Sequence, residues 1–387
     1  MRLLFVSNGH GEIAIADRIA AELRGLGEAI EIDHLALVGD IPARHARDVG
    51  PRRRMPSGGL IAMFNLPNIL RDLRAGLLGL TLEQWRWLRA SHGRYDAVIA
   101  TGDAYALWMA LRARSRTVFV GTAKSVLTAR YGFGERRVLR HADEVFVRDE
   151  ATADDLRRHG VAAEAPGNVI VDLFAAPAEG PTLAPAIEGF DVVVALLPGS
   201  RAEAYDNASF LMDVVAAVAR ERPGIGAVLS LAPNVDAAHM VSALTPTYAV
   251  RPALMPGVPF DVLNGGRVLA RAWCGDVGAL LNGSTVVLGQ AGTANEAAVA
   301  AGLPVLAVSR GTDREHGWYR RRQTQLLGDA LVMISGDLDS AARELRDMLD
   351  DPQRRARLGE LGRERMGPAG GARRIAERIV ALAREAA

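Results

Sequence analysis

The sequence predicts an α/β protein made of two doubly wound, Rossmann-like domains that face each other across a cleft. Short apolar runs that end in small or polar residues recur along the chain, which is the pattern of buried parallel strands leading into helices. The 40 glycines are spread over the chain and suit many short turns between strands and helices. At 387 residues the chain is longer than one ordinary core accommodates, so two domains are expected.

The first predicted domain opens with a strand at 2–6, a glycine-containing turn at 7–12 and an amphipathic helix at 13–24. This order begins a doubly wound sheet. The turn lacks the third glycine of the dinucleotide fingerprint, and no acidic residue closes a convincing next strand. We therefore do not expect an NAD site.

Four further apolar runs extend the first predicted sheet, at 30–37, 95–100, 117–121 and 144–147. Several strands are followed by polar or small residues: His10, Gly11, Glu12, Asp103, Lys124, Ser125, Arg148 and Asp149. Any one of these would more often be a cap or a turn residue than a catalyst. Because the carboxyl ends of parallel strands meet at one edge of a sheet, together they indicate the wall of a cleft.

An apolar segment at 60–82 interrupts the first half, after a predicted loop at 39–58. One interpretation is a pair of buried core helices. The other is a partly exposed surface around Met63 and Phe64, flanked by the arginines at 52–54. Such a surface would hold an acyl or prenyl chain, or meet the anionic head groups of a membrane.

A connector at 175–190, rich in proline and alanine, separates the two halves. We expect domains at 1–180 and 188–365, and a C-terminal helix at 366–387 that crosses back to the first domain. The second half has predicted strands at 192–197, 227–231, 268–272, 285–288 and 305–308. Its predicted helices lie at 208–220, 338–349 and 373–385.

The loop after the strand at 192–197 has the chemistry of a diphosphate site. Gly199 and Ser200 offer backbone N–H groups at a strand end, and Arg201 adds a permanent cation. A loop of this composition suits an anionic ligand.

A second anion-binding loop is predicted where a strand at 285–288 leads into an alanine-rich helix. Gly292, Thr293 and Ala294 lie where the helix begins, so free N–H groups and the helix dipole favour phosphate. Glu296, one turn into the helix, can accept hydrogen bonds from the two hydroxyls of a ribose. The alternative interpretation is an ordinary strand–helix crossover with a cap of small residues.

Composition excludes several classes of function. Lysine plus arginine total 46 against 45 for aspartate plus glutamate, so net charge gives no argument for a nucleic-acid partner. The single cysteine, Cys274, excludes an internal disulfide and a cysteine-based zinc site. The N-terminal apolar run is too short for a signal peptide or a transmembrane helix. We expect a cytoplasmic protein that meets the inner face of a membrane, if at all, from the surface.

The motifs of the second half resemble those of the lipid-A-disaccharide synthases. The resemblance is carried by Leu-Leu-Pro-Gly-Ser-Arg at 196–201 and Ala-Gly-Thr-Ala-Asn-Glu-Ala at 291–297, and it continues through most of the chain. It is closest to a divergent branch of related proteins, whose opening Ser-Asn-Gly-His-Gly-Glu matches 7–12. The resemblance implies a GT-B fold and a glycosyltransferase that uses a sugar nucleotide. The chain departs from the synthases at 121–130, in the half that binds the acceptor. The resemblance therefore implies a transferase, but not the lipid A disaccharide as its product.

By resemblance, Arg201, Gly292, Thr293 and Glu296 would bind the nucleotide diphosphate, and Asp103 would lie at the reacting centre. The implied reaction moves a sugar of the N-acetylhexosamine type from a UDP-linked donor to a hydroxyl of a lipid-linked or amphiphilic acceptor. The donor is a co-substrate, and no separate cofactor is expected.

This reaction needs a base for the acceptor hydroxyl and positive charge for the departing diphosphate. Asp103 and His10 are the candidate bases, the first by resemblance and the second because an ordinary histidine pKa is near neutrality. Arg201 and the helix that begins after Gly292 would offset the charge of the leaving group, so no metal ion is expected.

Two other functions remain open. A sugar-nucleotide 2-epimerase would use the same donor site without an acceptor, and the apolar segment at 60–82 argues against it. A non-catalytic relative would have kept the fold alone, and the presence of Arg201 and Glu296 argues against that.

Overall fold

The computed structural model describes most of the chain as two compact units. Unit 1 comprises Met1–Leu173 and Pro368–Ala387, and unit 2 comprises Phe174–Gly367. The described residues are 1–27, 29–38, 42–53, 73–122, 124–174, 180–200, 203–309 and 314–385, without the side chains of His10 and of 314–320.

Unit 1 is built on a parallel sheet of six strands in the order β3-β2-β1-β4-β5-β6. The strands are β1 Arg2–Asn8, β2 Glu31–Val38, β3 Arg47–Asp48, β4 Ala97–Gly102, β5 Arg116–Gly121 and β6 Glu144–Val147. Their residues are almost all buried, as expected for a parallel sheet covered on both faces. The five predicted strands are confirmed, and the short edge strand β3 lies within the segment that was predicted to be a loop.

The helices of unit 1 connect these strands. They are α1 His10–Gly25, α2 Leu77–Ala90, α3 Ala104–Ala110, α4 Phe133–Leu139, α5 Glu150–Arg158 and α6 Val169–Asp172. A 3₁₀ turn, Leu111–Ala113, follows α3. One apolar core is formed by Leu4, Val6 and Phe119 of the sheet with side chains of α2, α3 and α4.

Unit 2 contains an eight-stranded sheet in the order β14-β13-β12-β7-β8-β11-β10-β9. Its strands are β7 Val192–Leu197, β8 Ile225–Ser230, β9 Ala249–Met255, β10 Val258–Asn264, β11 Arg267–Trp273, β12 Val286–Gly289, β13 Val305–Ser309 and β14 Leu331–Ser335. All pairs are parallel except β9–β10 and β10–β11, which are antiparallel. The five predicted strands are confirmed, and β9, β10 and β14 were not predicted.

The helices of unit 2 lie between and after these strands. They are α7 Ala184–Ile187, α8 Ala204–Ala219, α9 Ala237–Leu244, α10 Val277–Asn282, α11 Thr293–Ala300, α12 Arg314–Leu327, α13 Leu338–Asp350 and α14 Pro352–Met366. A 3₁₀ turn, Gly328–Ala330, precedes β14.

The last helix, α15 Gly371–Arg384, belongs to unit 1 and packs against α1. Asp172, at the end of α6, binds the first turn of α15. The two carboxylate oxygens of Asp172 accept hydrogen bonds from the backbone N–H groups of Gly370 and Ala372, at 2.5 and 2.7 Å. A buried carboxylate at a helix N-terminus satisfies free N–H groups and complements the helix dipole.

None of the helices in the described ranges combines the length and the apolar character that crossing a bilayer requires.

Candidate functional site

The carboxyl ends of the central strands of unit 1 lie level with one another. Ser7 of β1 pairs with Thr101 of β4, and Gly102 pairs with Gly121 of β5. Gly121 in turn pairs with Val147 of β6. The loops that leave these strands therefore start side by side, as the sequence predicted for this edge of the sheet.

Glu12, in the first turn of α1, lies against two of these strand ends. A Cβ atom on Gly9 would come within 2.6 Å of the Glu12 Oε2 atom, and one on Gly102 within 2.6 Å of its Cγ atom. Both glycines have positive φ, 125° and 122°, which other residues adopt rarely. The space that glycine leaves at these two positions is occupied by the Glu12 side chain.

The surroundings of Glu12 also change its acidity. Burial raises the pKa of Glu12 to about 7; a hydrogen bond from its own backbone N–H opposes this rise, and the nearby charge of Asp103 adds to it. Gly11, the preceding residue, is exposed and has open space beside it. Glu12 is thus a carboxyl group that changes its charge near neutral pH at an accessible edge of the sheet.

Asp103 caps helix α3. Its Oδ1 atom accepts a hydrogen bond from the backbone N–H of Ala106, and its Oδ2 atom accepts one from the Asn8 side chain, both at 2.9 Å. Each carboxylate oxygen therefore already has a protein donor. The side chain of His10, the other candidate base, lies outside the described residues.

Lys124 lies after β5 in an ion pair with Glu135. The Nζ atom of Lys124 is 2.7 Å from Oε2 of Glu135, and it also lies 5.6 Å from the ring centre of Tyr131. Lys124 is the only lysine in a chain that contains 46 lysine and arginine residues together. Ser125, predicted beside it, is buried and organises a turn, since its Oγ atom accepts from the backbone N–H of Leu127 at 3.2 Å.

Tyr131 was not predicted as a site residue. A Cβ atom on Gly121 would come within 2.6 Å of the Tyr131 hydroxyl oxygen, so this hydroxyl lies over the end of β5. The hydroxyl is buried and has no hydrogen-bond partner among the described residues. Burial raises its pKa, with the negative charges of Glu135 and Asp103 as further causes. A buried hydroxyl without a partner is unusual and marks a group that a ligand can satisfy.

Other buried polar atoms at this edge also have no hydrogen-bond partner in the part of the chain that the structure describes. They are Oδ1 of Asn8, Oγ1 of Thr101 and Oδ2 of Asp149, the last of which lies 4.0 Å from Nε of Arg148. Asp149 otherwise caps α5, accepting from the backbone N–H and the hydroxyl of Thr152 at 2.8 and 2.6 Å. The edge thus has several unmet hydrogen-bonding groups.

A serine–histidine–aspartate arrangement lies deeper in unit 1. The Ser7 Oγ atom is 2.7 Å from Nε2 of His34, and Nδ1 of His34 is 3.4 Å from Asp48 Oδ1. Ser7 and His34 are both fully buried, and the Ser7 hydroxyl already has a hydrogen-bond partner in His34. We interpret this arrangement as a buried polar network and not as a nucleophilic site.

In unit 2, the two predicted anion-binding loops adjoin each other. Leu197 of β7 pairs with Gly289 of β12, and the backbone N–H of Gln290 donates to the Leu197 carbonyl at 2.8 Å. Gly199, with φ of 105°, lies beside the Gln290 carbonyl. The carbonyl of Ser200 accepts a hydrogen bond from the Asn234 side chain. Arg201 lies outside the described residues.

Two buried amide side chains donate hydrogen bonds to backbone carbonyls of the loop that precedes α11. The Nε2 atom of Gln323, in α12, donates to the carbonyls of Ala291 and Gly292 at 3.1 and 3.2 Å. The Nδ2 atom of Asn295 donates to the Gly289 carbonyl at 3.3 Å. Sequence reasoning did not find Gln323, because nothing in the local pattern indicates that α12 reaches this loop.

These bonds fix the direction of the backbone N–H groups. In a trans peptide the C=O and N–H bonds point in opposite directions. Because the Ala291 and Gly292 carbonyls point to Gln323, the N–H groups of Gly292 and Thr293 point away from it. Helical bonding begins with Asn295, whose N–H donates to the Gly292 carbonyl at 3.1 Å. The N–H groups that precede Asn295 create a region of positive potential at the start of α11.

An exposed apolar surface occurs elsewhere on unit 1. The α2 face, as we call it, consists of Leu73, Leu78, Leu82, Tyr105 and Trp108. Leu78 and Leu82 are 70% and 46% exposed, and Tyr105 of α3 forms a hydrogen bond with Thr81 of α2. Part of the predicted apolar segment is therefore exposed. Met63, Phe64 and Arg54 lie outside the described residues.

Of the predicted flanking arginines, Arg53 lies beside Gly76 at the start of α2, and Arg52 is paired with Asp48 at 2.6 Å.

No protein-family model matches the chain, and no curated protein matches its sequence. Several solved structures match over nearly the full length. A UDP-N-acetylglucosamine 2-epimerase has a TM-score of 0.61 at 14% identity, covering 98% of this chain and 96% of that chain. The UDP-GlcNAc 2-epimerase of Neisseria meningitidis, bound to UDP-GlcNAc, has a TM-score of 0.58 at 14% identity, covering 98% and 100%.

CalG4, the calicheamicin glycosyltransferase, has a TM-score of 0.58 at 15% identity, covering 98% of each chain. At such identities the likeness shows the fold alone. That fold is GT-B, with two Rossmann-like units, and the predicted fold class is confirmed.

Proposed function

We propose that this protein is a glycosyltransferase that uses a UDP-sugar. It moves a sugar, of the N-acetylhexosamine type, to a hydroxyl of a lipid-linked or other amphiphilic acceptor. The resemblance to lipid-A-disaccharide synthases supports the transferase class. The match to structures of UDP-N-acetylglucosamine enzymes and of a glycosyltransferase is compatible with it.

The orientation of the loop before α11 is the observation that supports a binding site for the UDP-sugar donor. The carbonyls of this loop accept hydrogen bonds from Gln323. Its N–H groups therefore point the other way, where an anion can accept hydrogen bonds from them. The glycine loop after β7 adjoins it. Two neighbouring loops rich in backbone donors suit a diphosphate better than a single phosphate.

Each residue of these loops has a proposed role. The backbone of Gly199, Ser200, Gly292, Thr293 and Ala294 would donate to the diphosphate. In addition, Arg201 would offset the charge of the leaving UDP, and Glu296 would accept from the ribose hydroxyls. With these groups in place the reaction needs no metal ion and no cofactor beyond the nucleotide sugar.

The acceptor half is assigned to unit 1, at the edge that carries Gly11, Glu12, Asp103, Lys124 and Ser125. A base here would deprotonate the acceptor hydroxyl as the sugar leaves the diphosphate. The α2 face supports an acceptor with an apolar part, because several large apolar side chains are exposed on two helices that contact each other.

The same face supports peripheral contact with an anionic membrane. Arg53 lies beside the start of α2, and each basic residue near such a surface contributes about 1 kcal/mol. We accordingly propose a cytoplasmic protein that works at the inner face of the cytoplasmic membrane.

Calorimetry with UDP and UDP-N-acetylglucosamine tests the donor half. We expect one binding site per chain. Absence of any nucleotide binding would support a non-catalytic relative instead. If nucleotide does bind, untargeted lipid profiling of a deletion strain would identify the acceptor by the precursor that accumulates.

A second candidate is a UDP-N-acetylglucosamine 2-epimerase. The match to two epimerase structures is compatible with it, as the match to CalG4 is with the transferase, since their TM-scores are 0.61, 0.58 and 0.58. The exposed α2 face argues against it, since an epimerase needs no apolar acceptor. Incubation with UDP-N-acetylglucosamine alone separates the two: formation of the manno isomer would identify the epimerase.

A further inference from the structure

We propose that Glu12, and not Asp103, is the base that deprotonates the acceptor hydroxyl, and that the hydroxyl of Tyr131 donates a hydrogen bond to the same acceptor. This inference rests on the proposed function and assigns its acceptor site to two adjacent strand ends of unit 1.

Two glycines make room for the Glu12 side chain. Gly9 and Gly102, from the ends of two different strands, both adopt positive φ, and a Cβ on either would come within 2.6 Å of a Glu12 atom. Glycine adopts positive φ without the steric cost that another residue would meet, and at both positions it leaves the space that the Glu12 side chain occupies.

The carboxyl groups of Glu12 and Asp103 differ in their hydrogen bonds. Asp103 accepts from Ala106 and Asn8 and stabilises the start of α3. Taking up a proton would weaken both of these bonds. Within the described ranges, Glu12 accepts only from its own backbone N–H, and burial raises its pKa to about 7. At neutral pH it can therefore take a proton and return it to solvent, which is what a general base requires.

Tyr131 lies near the same edge of the sheet as Glu12. Its buried hydroxyl lies over Gly121, which pairs with Gly102, the glycine beneath Glu12. Neighbouring strands are about 4.8 Å apart, so the two side chains lie over adjacent strand ends. The hydroxyl has no partner among the described residues, and an acceptor oxygen would supply one.

The acceptor O–H bond breaks, and Glu12 takes the proton. The acceptor oxygen forms a bond to the anomeric carbon of the sugar. The bond from that carbon to the diphosphate oxygen breaks, and its electron pair leaves with UDP. Glu12 then releases the proton to solvent. With water as the acceptor, the products are the free sugar and UDP.

The experiment compares wild type, Glu12→Gln and Tyr131→Phe, using UDP-N-acetylglucosamine with water as the acceptor. Calorimetry first measures UDP binding, which should be equal in all three because the donor loops belong to unit 2. UDP release should fall about 100- to 1,000-fold in Glu12→Gln. The rise of the wild-type rate with pH around neutrality should disappear in this variant. Tyr131→Phe should release UDP more slowly than the wild type.

A merely structural role is separated from this one by thermal unfolding at pH 8. Both variants remove an unfavourable buried group, a charged carboxylate or an unpaired hydroxyl, so both should melt at or above the wild-type temperature. The matched control is Glu22→Gln, about 15 Å further along α1. Glu22 is paired with Arg18 at 2.5 Å, and its replacement should leave UDP release unchanged.

Undiminished UDP release by Glu12→Gln, or a loss of release explained by a lower melting temperature, would overturn the inference. So would a wild type that binds the donor but releases no UDP, because a carboxylate poised for a hydroxyl also activates water. Failure of the wild type to bind UDP would instead overturn the proposed function, and this inference with it.

Discussion

Replacing Gln323 with leucine tests whether the loop before α11 is oriented for a ligand. The Gly292 carbonyl would keep the backbone donors of Asn295 and Glu296, at 3.1 and 3.3 Å, but the Ala291 carbonyl would lose its amide donor. One orphaned carbonyl costs about 1–3 kcal/mol of the free energy of unfolding. The freed peptide plane must then be ordered by the ligand, at about 1–2 kcal/mol, so UDP affinity should fall about 5- to 30-fold.

The assay is calorimetric titration with UDP beside thermal unfolding of the same samples. Gln323→Glu sharpens the test, because its carboxylate has a similar shape, cannot donate and adds negative charge near the proposed diphosphate. It should bind UDP more weakly than Gln323→Leu does. Gln325→Glu is the matched control, since Gln325 is exposed on the same helix. It should leave both measurements unchanged.

A Gln323→Leu variant with lowered stability and unchanged UDP affinity would refute the reasoning. Gln323 would then hold the loop for the sake of the fold alone, and the direction of the N–H groups would have no bearing on a ligand.

Three further predictions concern unit 1. Asp172→Ala removes two bonds to the start of α15, so we expect a loss of about 1–3 kcal/mol in stability and faster hydrogen exchange in α15. Burial lowers the pKa of His34 below its ordinary 6.5, so the folded state resists protonation; stability should fall as pH drops below about 6.5, and less so in His34→Gln. Leu78→Asp with Leu82→Asp should abolish flotation with anionic liposomes, whereas unchanged flotation would contradict the membrane proposal.

The strands of both sheets could be predicted because parallel strands buried on both faces are continuous apolar runs. β6 and β7 lie at the predicted bounds, and other ends differ by a few residues. The β9–β10 hairpin could not be predicted in this way. β9 is a sheet edge with mixed exposure and contains Pro252, so it shows neither a buried run nor a clean alternation.

The candidate sites were predictable only where a motif is local. The glycine loops and the Gly11–Glu12 turn are visible in the sequence because one short segment supplies the whole feature. Tyr131 and Gln323 were missed because they reach their loops from other elements. Asp103 could be read as a cap or as a catalyst, and only its bonds to Asn8 and Ala106 reveal the capping role.

Titration of the wild type and of Arg201→Ala with UDP tests the central claim most directly. The wild type should bind one UDP per chain. The affinity of Arg201→Ala for UDP should be about 10- to 100-fold lower, since a charge-assisted contact contributes about 1.5–3 kcal/mol. Equal affinity of the two proteins would contradict the assignment of the diphosphate to this loop. No binding by the wild type would contradict the use of a UDP-sugar altogether.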